Sequence, residues 1–193
     1  MTGRPIDPIA IDVGEVLQRS VTSLYSSLIT RPTGRAVRMA IETQLQGAGT
    51  LSISLIDFSE VGIIDFSCAD EVVAKLLQQY LVHEVRDAFF VFRGVREPHR
   101  DQVENVLERQ GLAAVVETKP HHFMLLGVHT EEEGRVWSRI QEVGVIDADS
   151  VDGLFEDTRD RDAFDSLLVR GLLFRSPQSG RVHSLSRLVE HLM

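Results

Sequence analysis

The 193-residue chain has a single cysteine, Cys68, which excludes an internal disulfide and any site built from several thiolates. It has no run of about 18 apolar residues that could span a bilayer, and its N-terminus lacks the basic-then-apolar order of a secretory signal. A cytoplasmic protein with no membrane contact is expected, and a lone cysteine fits a reducing compartment. Basic residues are in deficit: 20 Lys plus Arg stand against 29 Asp plus Glu, a net charge of -9. That balance excludes a general nucleic-acid coat protein, because phosphate binding rests on clustered Lys and Arg. No Gly-Lys-Ser/Thr motif is present, which removes P-loop nucleotide hydrolysis. Internal repeats and low-complexity tracts are absent too.

What is there is a globular composition, 43% hydrophobic and 25% charged, too apolar for a disordered chain. Its length suits one domain with a smaller appendage, divided here as 1–130 and 131–193. Val13, Val16, Leu17, Val21, Leu24 and Leu28 recur at helical spacing, giving a helix, or a helix and a strand, whose end near Tyr25 is ambiguous. Arg31-Pro32-Thr33-Gly34 breaks the pattern. Ala36, Val37, Ala40, Ile41 and Leu45 resume it as a second helix starting near Thr33 or Gly34 and ending at Gly47-Ala48-Gly49. Leu51, Ile53 and Leu55 alternate with Ser52 and Ser54 as a strand, and Val61, Ile63 and Ile64 lead into the next helix. That helix opens at Ser67, a good N-cap with Asp70 and Glu71 at the positive helix end, and buries Val72, Val73, Leu76, Leu77, Tyr80 and Leu81.

The run Ala88-Phe89-Phe90-Val91-Phe92 reads as a central strand covered on both faces. A helix after Pro98, with Val103, Val106 and Leu107, closes at Gly111, and short strands come next at 113–116 and 123–128. Composition changes at Glu131-Glu132-Glu133. Beyond it, helices are expected around Trp137 to Ile146, around Leu154 and around Phe164, then a hairpin whose turn is Ser176-Pro177-Gln178-Ser179-Gly180. Helices ending in a hairpin outline a winged helix.

With those elements placed, the stretch from Leu51 to about Val116 resembles a STAS domain, the module of bacterial anti-sigma factor antagonists. The match rests on the strand 51–58, on Ile64-Asp65-Phe66-Ser67 opening a helix, on the strand 89–92, on the Gly111-Leu112 pair and on the strand 113–116. Asp57-Phe58 and Ser67-Cys68-Ala69-Asp70-Glu71 resemble still more closely the STAS-like domains of unknown function. The resemblance implies an α/β fold, a STAS-like mixed sheet flanked by helices with an N-terminal helical extension, followed by a small α+β winged-helix-like module. It implies a non-catalytic regulatory protein in signal transduction, without cofactor. Its partner is a protein, such as a kinase or an anti-sigma-like ATPase, or a second copy of the chain, and binds through Asp65, Phe66, Ser67, Asp70 and Glu71. The phosphorylated serine of the antagonists falls on Ser67, although Phe66 and Cys68 replace the family's serine and glycine on either side.

Other clusters carry weaker chemistry. Arg31, Arg35 and Arg38 flank a turn at a helix start and are candidates for holding an anion. His121, His122 and His129 lack a completing carboxylate or thiolate, so no metal site is expected. Cys68 reads as a small core residue, and Asp57, Asp65 and Asp70 as turn and cap residues with no nucleophile beside them. An alternative function is a winged-helix DNA-binding transcriptional regulator with a STAS-like sensor, using Arg161, Arg170, Arg175 and Arg181. From 131 to 193, however, 8 Lys plus Arg face 13 Asp plus Glu, a net of -5, which favours protein docking over DNA.

Overall fold

The computed structural model describes residues 7–20, 27–47, 51–81, 88–97 and 99–192. Val21, Leu24, Tyr25, Ala48, Gly49 and Pro98, all used in the sequence reading, lie outside them. The centre is a five-stranded mixed sheet in the order β1-β3-β5-β6-β7. Strands β1 (Asp7–Asp12), β3 (Ser52–Asp57), β5 (Ala88–Arg93) and β6 (Ala113–Lys119) run parallel, and β7 (His122–Gly127) returns antiparallel to β6. A separate parallel pair joins β2 (Ser27–Leu28) to β4 (Ile63–Ile64).

Alternation along each strand divides two cores. On β5, Ala88, Phe90 and Phe92 face one side while Phe89 and Val91 face the other, so the run stays apolar throughout. The first side is covered by α1 (Val13–Ser20), α2 (Arg31–Gly47), the helix that starts as α3 (Phe66–Ala69) and ends as α4 (Leu76–Leu81), and α5 (His99–Arg109). Between α3 and α4, Asp70–Lys75 forms a π-helical turn.

The second side is covered by the chain after Thr130. It comprises α6 (Glu131–Val143), β8 (Val145–Ile146), α7 (Val151–Leu154), α8 (Thr158–Val169), β9 (Leu173–Arg175), β10 (Val182–Ser184) and α9 (Leu185–Val189). Their side chains pack on Ile53, Leu55, Phe89, Val91, Ala113 and Val115. Phe174 meets Phe89 edge-on, with ring centroids 5.3 Å apart. Each fully buried aliphatic or aromatic side chain contributes roughly 1.5–3 kcal/mol relative to exposure.

Four boundaries differ from the sequence reading. Strand β1 has no counterpart in it, because the strand's only clear signal is the Ile9 and Ile11 alternation beside prolines and acids. Helix α2 starts at Arg31 rather than at Thr33 or Gly34; Pro32 sits in the first turn, where a missing N–H costs nothing. The 143–146 segment leaves the helix at Gly144, whose φ of 79° terminates α6, and becomes β8. The second arm of the hairpin, expected over Arg181 to Leu185, is β10 from Val182 to Ser184, and Leu185 instead opens α9.

Candidate functional site

The strand-to-helix elbow begins where β4 ends. The N–H of Asp65 donates to Leu28 O at 2.8 Å, which extends the β2–β4 pairing to the first residue of the elbow. Asp65, not Ser67, is the N-cap: its Oδ1 accepts the Cys68 N–H at 2.8 Å and also the Ser67 hydroxyl at 2.9 Å. The backbone explains the correction. Asp65 is extended, at φ -92° and ψ 168°, and Phe66 is the first helical residue, so Ser67 lies one position inside the helix.

Gly34 sets how closely α2 approaches the elbow. A Cβ there would stand 2.9 Å from Cys68 Cα and 3.2 Å from both Cys68 Sγ and Glu71 Cβ, so only a bare Cα fits. Cys68 is fully buried, and its thiol reaches Thr30 O at 3.0 Å. Burial first, and the Asp65 carboxylate second, push its pKa up to about 12.

This close approach brings the arginines of α2 onto the acids of the π turn. Arg31 Nη1 donates to Asp70 Oδ2 at 2.7 Å and to Glu71 Oε1 at 3.0 Å. Arg38 Nε reaches Glu71 Oε2 at 3.3 Å and also pairs with Glu42. Lys75 closes the ring onto Glu71, and its Nζ is 3.7 Å from Asp70. Gln110 Nε2 donates to Asp70 Oδ1 at 3.3 Å. Three cations thus balance three carboxylates. Burial alone would raise the pKa of Glu71, but hydrogen bonds from Lys75, Arg31 and Arg38 outweigh it and hold the group below the ordinary carboxylate range.

The structure therefore places the candidate residues in two sets. Asp70 and Glu71, 6% and 2% exposed, are turned inward onto Arg31 and Arg38, so the chain's own carboxylates stand where an external anion would bind. Arg35 is exposed and apart from this network. Asp65, Phe66 and Ser67 are half-buried at the surface, with the Arg109 guanidinium over the Phe66 ring. Beside them stand two residues that the sequence reading does not single out. In the β2–β4 pair Leu28 and Ile64 point inward, while Ile63 and the adjoining Ile29 are 54% and 52% exposed. Their signal lies in that alternation, legible only once the two short strands are known to pair.

The four candidate arginines of the C-terminal segment face their own chain. Arg170 binds Glu133 at 2.7 Å; Arg161 Nε donates to Phe155 O at 2.8 Å. Arg181 pairs with Asp147 at 2.7 Å, and Arg175 lies over the Phe164 ring. Glu133 also completes a capping box with Thr130. Among the described residues, no group of three or more His, Cys, Asp or Glu is placed to hold a metal ion, and no helix is long and apolar enough to cross a membrane. Compared with known proteins, the chain matches no family model, no curated protein and no solved structure.

Proposed function

We infer that the chain is a non-catalytic regulatory protein, similar to the STAS-type antagonists, that acts by binding a partner protein at the elbow. The observation that carries this reading is the pair of half-exposed isoleucines, Ile29 and Ile63, on one face of β2–β4 beside Asp65 and Ser67. Exposed apolar side chains rimmed by fixed polar groups are the makings of an interface. The buried network beneath braces the surface, because Arg31 and Arg38 tie α2 to the π turn. Docking thus centres on Ile29, Ile63, Asp65, Phe66 and Ser67, with Asp70 and Glu71 acting from within.

Ser67 is the position for a switch. Its hydroxyl donates to Asp65, so a phosphate there would set a dianion against the capping carboxylate and remove the donor. The chain after Thr130 runs helix, strand, helix, helix, strand, strand, helix, with sheet order β8-β10-β9, and the helices followed by the β9–β10 hairpin support the winged-helix-like reading. Arg161, Arg170, Arg175 and Arg181 are engaged internally, which favours an assisting role in protein docking over duplex binding.

The test is a two-component titration. An anti-sigma-type ATPase or kinase recovered with the chain from its host is purified and titrated calorimetrically with wild type, Ile63→Asp and Ser67→Asp. Ile63→Asp is expected to weaken binding about 30-fold or more, the scale of an interface hot spot, with the thermal midpoint unchanged. Ser67→Asp is expected to weaken it as well. Equal affinity of wild type and Ile63→Asp would overturn the assignment of the surface.

A further inference from the structure

We propose that a groove at the carboxyl edge of the sheet binds the phosphate group of a small ligand. It is separate from the elbow and independent of the docking function proposed there. Parallel strands β3 and β5 end with Asp57 and Arg93, in register with Glu117 near the end of β6. Here that edge opens into a groove of about 400 Å³, lined by Ser59, Arg93, Arg96, Glu117, Lys119 and His121 among others.

The anion-binding character of the groove centres on Arg93. Arg93 lies 3.5 Å from Asp57 Oδ2 and 3.5 Å from Glu117 Oε2, held between two carboxylates, while its terminal nitrogens make no hydrogen bond among the described residues. Glu117 is 5% exposed beneath it; one oxygen accepts the His121 N–H at 2.9 Å and the other has no hydrogen-bond partner among the described residues. A guanidinium fixed from below, with donors still free, is suited to a phosphate oxygen pair.

The rim adds to the charge and to the strain. Arg96 and Lys119 supply two further cations, so with Arg93 three cations face the two carboxylates Asp57 and Glu117 in a chain of net charge -9. An anion is drawn to such a local reversal of sign. Both flanking turns are held in the left-handed region. Gly94, at φ 72°, passes so close to Ser59 that a Cβ would lie 2.4 Å from its backbone nitrogen. His121 adopts φ 62°, the only positive φ among described non-glycine residues. Glycine takes such a φ at no cost, but His121 does not, and a strained residue persists where its surroundings enforce it, as at ligand clamps. The Arg96 guanidinium is tethered to the same turn through Ser59 O at 3.1 Å.

The experiment titrates inorganic phosphate and, separately, glycerol phosphate into the full chain at pH 7, with sodium chloride holding ionic strength constant. Calorimetry and ³¹P line broadening report binding. Saturable binding below about 1 mM is expected for at least one probe, and the tighter one shows whether the natural ligand is the free ion or an ester. Arg96→Gln with Lys119→Gln, both exposed positions, is expected to weaken it about tenfold or more while leaving the circular dichroism spectrum unchanged. Arg19→Gln, an exposed cation outside the groove's lining, is expected to leave it unaltered. Non-saturable heats for both probes, or equal weakening by Arg19→Gln, would overturn the proposal.

Discussion

Replacing Glu71 by Gln tests whether the elbow is held by charge. The carboxylate is 2% exposed and receives Arg31 at 3.0 Å, Arg38 at 3.3 Å and Lys75. Removing one partner of a buried ion pair costs about 3–5 kcal/mol when the other charge is left stranded. Here the stranding is partial. The side chains of Arg31 and Lys75 are 49% and 40% exposed and can rehydrate; Arg31 keeps Asp70, and Arg38 keeps Glu42. Glutamine preserves the volume and one acceptor. The loss should therefore be close to that of a hydrogen bond to a charged group, about 1.5–3 kcal/mol. Urea unfolding measures it, followed by circular dichroism and by the emission of Trp137, the one tryptophan, which is 4% exposed in the other core. Coincident transitions establish two-state behaviour. The pH dependence gives a second check. Because folding depresses the pKa of Glu71 below the ordinary glutamate value of 4.5, its contribution is present above that value and is lost as pH falls through the depressed one. The stability gap between wild type and variant should then close on acidification. A gap under about 0.5 kcal/mol at pH 7, or one unchanged between about pH 7 and pH 3, would refute the reasoning.

The other expectations rest on the same geometry. Asp65→Ala should cost about 1–2 kcal/mol in urea unfolding through loss of the cap, whereas Ser67→Ala should cost less than about 0.5 kcal/mol, since its half-buried hydroxyl only donates to Asp65. Cys68, buried and with its pKa pushed up to about 12, should react with an aromatic disulfide reagent at pH 8 at least about a thousandfold more slowly in the native chain than in urea. Glu133→Gln should lower the thermal midpoint by about 3–12 °C in calorimetry, because one 5% exposed carboxylate caps α6 and binds Ser166 and Arg170.

The main elements are legible in the sequence where a single pattern runs long enough. The Ala88 to Phe92 run announces a strand covered on both faces, and the period from Val103 to Leu107 with Gly111 announces α5 and its end. Gly111 indeed takes φ 65°. The elbow is legible as a strand-to-helix junction, but its cap is not. Asp65 and Ser67 both cap well, and the choice depends on where the backbone turns helical, which tertiary packing through Gly34 and Cys68 decides. The acids Asp70 and Glu71 look like a solvated first turn because their arginine partners lie 33 to 40 residues away in α2. The groove is hidden for a related reason. Asp57, Arg93 and Glu117 each read as an ordinary polar residue at the end of a strand, and only parallel register aligns them.

Packing on the second face of the sheet explains why the chain after Thr130 has the pattern it does. The composition change at Glu131 to Glu133 marks the capped start of α6, and the segment from there to the C-terminal helix must cover the outward set Ile53, Leu55, Phe89, Val91, Ala113 and Val115. A sheet face of that kind needs an apolar partner along its whole length, and α6, α8, α9 and the β9–β10 hairpin provide it with Trp137, Ile140, Phe164, Leu167, Phe174, Val182 and Leu185. Glu133 then fixes the cover in place, because the carboxylate that caps α6 also holds Ser166 on α8 and the adjoining Arg170, whose guanidinium bonds Val128 O at the approach to α6. The elbow packs on the first face, opposite the cover, and the groove opens at the carboxyl edge with no residue after Thr130 in its lining, so the cover can anchor the sheet without obstructing either.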